Sequence, residues 1–68
     1  MIACNFKVKD VKEFKSLSGL NCFMRYVMCA IDENKRDGAR IYAADWNRIL
    51  GAAIDRYHEL ESEVNGYE

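Results

Sequence analysis

Apolar side chains recur at intervals of three and four between residues 46 and 64, the longest regular pattern in the sequence. This spacing places them on one stripe of an α-helix of about five turns, which we predict to be capped by Asp45. In a chain of 68 residues, much of the remaining sequence must cover this stripe to offset the loss of chain entropy. The sequence therefore predicts a single compact domain over residues 1–68. The stripe consists of Trp46, Ile49, Leu50, Ala53, Ile54, Tyr57, Leu60 and Val64.

The opposite face of this helix is polar, and we predict that it binds a partner protein with a basic surface. Glu59 and Glu63 form a like-charge i,i+4 pair in the last turns, where the helix dipole favours cations. Gly51 in mid-helix costs about 1 kcal/mol relative to alanine. Features that oppose helix stability indicate function, although ordinary solubility also explains surface acids. The predicted partner-binding residues are Arg48, Gly51, Asp55, His58, Glu59, Ser62 and Glu63.

Residues 21–31, NCFMRYVMCAI, are compatible with a helix or with a strand. A strand of more than ten residues with two apolar faces is long for so small a chain, so we predict a helix over residues 20–35, with Ser18 as N-cap and Gly38 beyond its end. The strand remains an alternative, because Cys, Phe, Tyr and Val favour sheets and ENKRDG could turn a hairpin. The helical stripe is Leu20, Phe23, Met24, Val27, Met28 and Ile31.

Two shorter segments are typical of strands. The first alternates apolar with polar or small residues, which is the period of a half-buried strand; its apolar members are Ile2, Cys4, Phe6 and Val8. The second is ARIYA, residues 39–43, which we predict to pair with the first. Between the strands, Asp10 opens DVKE, a capping pattern for a short helix. The predicted fold class is α+β: mostly helical, with two short paired strands, a central apolar helix and a long C-terminal amphipathic helix.

The predicted core draws on all these elements. Truncating one member of this core, Leu50→Ala, should cost about 2–5 kcal/mol of stability. Its members are Phe6, Phe14, Leu20, Phe23, Met24, Val27, Ile31, Trp46, Leu50, Ala53, Ile54, Tyr57 and Leu60.

The three cysteines do not follow a metal-binding or disulfide pattern. On a helix, Cys22 and Cys29 lie about 10 Å apart, beyond the reach of a disulfide; on a strand they face opposite sides. A zinc site of Cys4, one helix cysteine and His58 is an alternative, but CxxC is absent and His58 is the only histidine. We predict buried core cysteines, no metal and no cofactor. The odd number of cysteines and the lack of an apolar leader suggest that the protein resides in a reducing cytoplasm.

Motifs for catalysis are missing, so we do not expect an enzyme. No glycine-rich phosphate loop occurs, and His58 has no nucleophile near it in sequence. Charge is uneven: residues 1–40 carry eight Lys/Arg and five Asp/Glu, whereas residues 41–68 carry two and six. Nucleic-acid binding is the alternative function, because a row of lysines can contact phosphates; the wet face of a strand would explain the same row. The row is Lys7, Lys9, Lys12 and Lys15.

The function expected from these features is stoichiometric binding to another macromolecule. Small single-domain proteins with unpaired cysteines are common among phage-encoded inhibitors of host machinery, including the anti-CRISPR and anti-restriction classes, and we expect a protein of that kind. No apolar run approaches the roughly 20 residues of a membrane span, so no membrane contact is expected. The sequence leaves the oligomeric state open.

Overall fold

The structure is a computed structural model that describes residues 1–65, with side chains described as far as residue 63. Three helices are present in this part of the chain: α1, Val8–Val11; α2, Leu17–Arg36; and α3, Arg40–Asn65. The short turn at residues 37–39 joins α2 and α3 into an antiparallel hairpin. Residues 1–7, which we call the arm, lie along one side of that hairpin, and α1 packs on α3.

No strand occurs among residues 1–65, so the predicted α+β class is wrong. The predicted alternation holds only over residues 2–5, where Ile2 and Cys4 are half-buried while Ala3 and Asn5 are exposed; Phe6 and Val8, its other two apolar members, are exposed. The backbone of Ile2 finds its hydrogen-bond partners in side chains of the helices rather than in a second strand. The period-two pattern therefore marks an extended segment that lies on two helices, a surface with the same one-sided burial as a sheet.

The second predicted strand, residues 39–43, forms the junction and first turn of α3. The Ala43 N–H donates to the Ala39 carbonyl at 3.0 Å, which closes a helical turn here, and buried Ala43 extends the apolar stripe one turn before Trp46. A short apolar run cannot be assigned to helix or strand by period alone. Asp45 consequently lies inside α3 rather than at its N-cap, and its Oδ1 is 3.7 Å from Arg48 Nη2.

The predicted helix over residues 20–35 is confirmed, although it begins earlier than expected. Ser16 rather than Ser18 is the N-cap of α2, and its Oγ accepts from the Gly19 N–H at 3.2 Å. Gly38 has φ 77°, the left-handed conformation that glycine adopts readily, so it ends α2 as predicted. The short helix α1 also begins earlier, and Asp10 is its third residue: its Oδ2 accepts from the Lys7 N–H at 2.9 Å.

The core lies between α2 and α3 and continues beneath α1. Phe6 and Ile54 are 39% and 44% exposed, so placing them in the core is wrong. Phe14, Phe23, Met24, Leu50 and Tyr57 are only partly buried at its edge. For Met24, Leu50, Ile54 and Tyr57 the reason is geometric: on the side away from the arm, each helix of the hairpin has one neighbour, which covers a narrow stripe. The buried cluster is Val11, Leu20, Val27, Ala30, Ile31, Trp46, Ile49, Ala53 and Leu60.

Asn34 holds the arm to the hairpin. It is fully buried, and its Oδ1 accepts from the Ile2 N–H at 2.7 Å while its Nδ2 donates to the Ile2 carbonyl at 2.9 Å. Trp46 Nε1 donates to the same carbonyl at 2.9 Å. At the end of the arm, the amino group of Met1 lies 2.6 Å from Asp37 Oδ2, and this hydrogen bond and its positive charge lower the pKa of the Asp37 carboxyl.

An aromatic cluster closes the same side of the hairpin. The ring of Phe6 lies 5.0 Å from that of Phe23 and 5.8 Å from that of Trp46, and Tyr26 meets Trp46 edge-on at 5.5 Å. Aromatic pairs in this range stabilise beyond the area that they bury. The arm therefore covers one side of the hairpin as a third layer.

Candidate functional site

The structure places the seven predicted partner-binding residues on the solvent-facing side of α3, which we call the outer face. They extend over about 22 Å of helix, given a rise of 1.5 Å per residue. Their exposure follows from the helical period, since the buried stripe faces α2 and the arm. All seven are exposed: Arg48, Gly51, Asp55, His58, Glu59, Ser62 and Glu63.

Gly51 lies near the middle of the outer face. A Cβ atom added to it would meet no atom within 4 Å, and its backbone φ is in the ordinary negative range. The glycine is therefore required neither by packing nor by backbone conformation within the described structure. Its cost in helix stability has no compensation in the fold.

Ion pairs on α3 alter the predicted charge of the outer face. Arg56 Nη1 lies 3.5 Å from Glu59 Oε1, while Arg56 Nε donates to the Phe14 carbonyl at 2.9 Å. The charge of Glu59 is thus partly offset by an arginine that the fold holds in place. Among the ion pairs of residues 1–63, none includes Asp55 or Glu63, so these two carboxylates carry the free negative charge of the outer face.

His58 is a surface histidine that contacts the acidic side chain of Glu61. Its Nδ1 lies 3.6 Å from Glu61 Oε1, a contact that is an ion pair only when the imidazole is protonated. Its side chain is exposed, as the sequence predicted.

The four lysines of the nucleic-acid alternative are all exposed, but they do not line a strand. Lys9 lies in α1, Lys7 and Lys12 flank it, and Lys15 lies in the connection to α2. The strand edge that would have arranged them as a regular phosphate-binding row is not formed.

The cysteines are placed differently from the prediction. Cys22 and Cys29 are unbridged, as predicted, yet both are exposed, so assigning them to the core is wrong. They lie on the side of α2 that neither α3 nor the arm covers; Tyr26 and Met28 in the same segment are also about half exposed. Cys4 is half-buried in the arm. Over the described residues, no three His, Cys, Asp or Glu side chains are grouped as metal ligands.

A depression of about 500 Å³ lies at the turn between α2 and α3. No carboxylate, histidine or cysteine lines it, and its two charged side chains are both cations. Its lining residues are Lys35, Gly38, Arg40, Ala43, Ala44 and Asn47.

Sequence reasoning missed a second exposed surface, on the side of the hairpin away from the arm. Met28 and Ile54 are 48% and 44% exposed there. The sequence did contain a signal, because the apolar stripes of both helices are wider than a single neighbour can cover. We call this surface the open face and define it by Met24, Met28, Leu50, Ile54 and Tyr57.

No helix within residues 1–65 is long and apolar enough to cross a membrane. Comparison with known proteins finds no family model, no curated protein and no solved structure that matches this chain.

Proposed function

We propose that the protein acts by stoichiometric binding of another protein through the outer face of α3. Gly51 is the observation that carries this proposal. A mid-helix glycine that no neighbour requires lowers helix stability by about 1 kcal/mol, and its lack of a side chain lets a partner's backbone approach the helix closely. Residues that oppose fold stability without a contact to explain them are expected where a protein binds.

The charges of the outer face favour a partner with a basic surface. Asp55 and Glu63 are unpaired within the described structure, and Glu59 adds a partly offset negative charge beside Arg56. Exposed charges of one sign steer an oppositely charged partner and speed association. Binding should therefore weaken with added salt, since the screening length is about 10 Å at 0.1 M.

Inhibition of a host macromolecular machine, of the phage-encoded anti-CRISPR or anti-restriction kind, is the role that we propose for this binding. Machines that process nucleic acid present basic surfaces to phosphates, and an acidic helix can occupy such a surface. A domain of this size can inhibit by covering the surface, without chemistry of its own.

Charge reversal on the outer face tests the proposal. Asp55→Lys with Glu63→Lys should weaken binding of a captured partner by about tenfold, or 1.4 kcal/mol, while circular dichroism shows an intact helical fold. Glu59 is left unchanged because it pairs with Arg56, which also anchors the Phe14 carbonyl. The measurement is affinity capture from nuclease-treated host lysate, followed by titration of the purified partner with each variant.

The matched control is Lys7→Glu with Lys9→Glu, which changes the net charge by the same amount but with opposite sign, on the arm and α1. It should leave partner binding within about twofold. If this control abolishes binding and the α3 variant does not, the outer face is the wrong site; retention of nucleic acid that is sensitive to the lysine changes would identify the alternative function.

Replacing Gly51 with alanine should raise the free energy of unfolding by about 0.8–1.0 kcal/mol, since the new methyl group meets no atom within 4 Å. Urea denaturation followed by circular dichroism measures the change. The proposed function adds a second expectation: the more stable variant should bind its partner less tightly. Unchanged stability would contradict the helix argument, and unchanged affinity would show that no close approach occurs at Gly51.

A further inference from the structure

The open face is a continuous apolar surface formed by both long helices. Met24 and Met28 are one turn apart on α2, and Leu50, Ile54 and Tyr57 follow at four- and three-residue spacing on α3, so each set forms one row. The antiparallel hairpin brings the middle of α2 beside the middle of α3, and the two rows therefore adjoin.

Contacts of the arm and α1 establish that the open face lies on the other side. Phe23, which touches Phe6, lies about 100° around α2 from Met24. Arg56, which binds the Phe14 carbonyl, lies about 160° around α3 from Ile54. No described residue outside the hairpin lies over Met28 or Ile54, which keep about half of their surface in solvent.

We propose that the open face is the interface of a symmetric dimer, and that a second copy of this chain covers it. The charges at the two ends of the open face favour this occupant. Lys35 lies beside the turn between α2 and α3, whereas Glu61 lies near the other end of the hairpin. A two-fold axis across the helices would make the hairpins antiparallel and lay α2 over α2 of the partner subunit. Each Lys35 would then lie at the same end of the interface as Glu61 of the partner subunit, and this diagonal pairing would occur twice.

Helical position places both charges at the edge of the open face. Lys35 is seven residues after Met28, and Glu61 is seven residues after Ile54, so each continues the row of its own helix. Within residues 1–63, the one ion pair of Glu61 is the 3.6 Å contact with His58, and Lys35 takes part in none. The face is therefore complementary to itself: apolar in the middle, positive at one end and negative at the other.

The size of the surface is sufficient for a dimer. The 20 residues of α2 span about 30 Å, and two packed helices with their side chains are about 20 Å wide, so the face covers on the order of 500 Å² per protomer. Two protomers would bury about 1,000 Å², the lower limit of specific interfaces. Methionines at the centre suit such a contact, because their flexible side chains adjust to an apolar neighbour.

Sedimentation velocity and light scattering of the purified full chain test the dimer, without any partner. We expect the dissociation constant of the dimer to be about 100 µM or lower. The mass measured at 100 µM protein should therefore approach twice the 7.9 kDa of one chain. Ile54→Lys should convert the dimer to a monomer at the same concentration. Ile41→Lys is the matched control: Ile41 is 77% exposed on α3, away from the open face, and its replacement should leave the dimer intact. Circular dichroism confirms that both variants are folded.

A charge exchange tests the orientation of the subunits. Lys35→Glu and Glu61→Lys should each weaken dimerisation by about three- to tenfold, because each removes two exposed ion pairs. The double variant should return to within about twofold of the original affinity. A monomeric wild-type protein at 100 µM, a dimer unaffected by Ile54→Lys, or a double variant no better than the single ones would overturn the proposal. Because the assay contains no partner, its result is independent of the proposed function of the outer face.

Discussion

Replacing Trp46 with alanine is expected to lower the free energy of unfolding by about 3–5 kcal/mol, the usual cost of truncating a buried tryptophan. Trp46 is the largest fully buried side chain of the described residues, with 1% of its surface exposed. The substitution leaves a cavity beneath Phe6 and Tyr26, whose rings lie 5.8 and 5.5 Å from the indole. It also removes one of two donors to the Ile2 carbonyl, so the arm is loosened together with the core.

Urea unfolding followed by circular dichroism measures this loss, since the variant has no other tryptophan to report by fluorescence. A domain of this size has about 3–10 kcal/mol of stability in total, so the alanine variant can be largely unfolded. Trp46→Phe provides the graded comparison. It keeps an aromatic ring and loses the indole N–H, and we expect a loss of about 1–3 kcal/mol. A loss below about 1 kcal/mol for the alanine variant would contradict the central role of Trp46.

Replacing Asn34 with aspartate should destabilise the protein by about 3 kcal/mol at neutral pH, because the change places a charge at a fully buried position. One carboxylate oxygen would still accept from the Ile2 N–H, but the other would face the Ile2 carbonyl, where the amide Nδ2 now donates at 2.9 Å. Two acceptors would then oppose each other without water between them.

The loss should depend on pH in a defined direction. Burial raises the pKa of the introduced carboxyl in the folded protein above its value in the unfolded chain, about 3.9. The variant should therefore lose stability as the pH rises through the pKa that the carboxyl has in the folded protein, and regain it as the pH falls. At low pH the protonated carboxyl can donate to the Ile2 carbonyl. Thermal unfolding at pH 4.5 and pH 8 measures the difference from the wild-type protein.

Asn34→Leu is the control for this pH dependence. It removes the same two hydrogen bonds without adding a titratable group, so its destabilisation relative to the wild-type protein should be equal at the two pH values. If the aspartate variant behaves in the same way as the leucine variant, the carboxyl is not buried and the arm does not depend on the paired hydrogen bonds of residue 34.

The sequence by itself determined the two long helices. The stripe from Trp46 to Leu60 has the helical period over four turns, and the length of the two apolar faces of residues 20–35 favoured a helix over the strand that stayed an alternative; Gly38 marked the end of the first of these helices. The exposure of the outer face, from Arg48 to Glu63, follows directly from the same period. These features could be predicted because intrahelical hydrogen bonds and one-sided burial are local properties of the chain.

Short segments could not be assigned in this way. Residues 39–43 have β-forming composition but join α3, because the helix that follows supplies both hydrogen-bond partners and a continuing apolar stripe. The alternation from Ile2 to Val8 indicated one buried side correctly for Ile2 and Cys4 but not for Phe6 and Val8, and it could not distinguish a strand in a sheet from an extended arm on helices. The hydrogen-bond partners of the arm are residues 32 to 44 positions away, and no local pattern contains them.

Only the tertiary structure decided which surfaces of the hairpin are buried. An antiparallel pair of helices has two equivalent sides. An apolar stripe that is wide enough to reach both sides does not indicate which of the two the arm will cover. Asn34 and Trp46 select one side, because the backbone of Ile2 must find hydrogen-bond partners once it is removed from water. Because the arm lies on that side, it covers Phe23 and leaves Met28 and Ile54 exposed on the open face. The position of the open face is therefore a consequence of the hydrogen bonds that hold the arm.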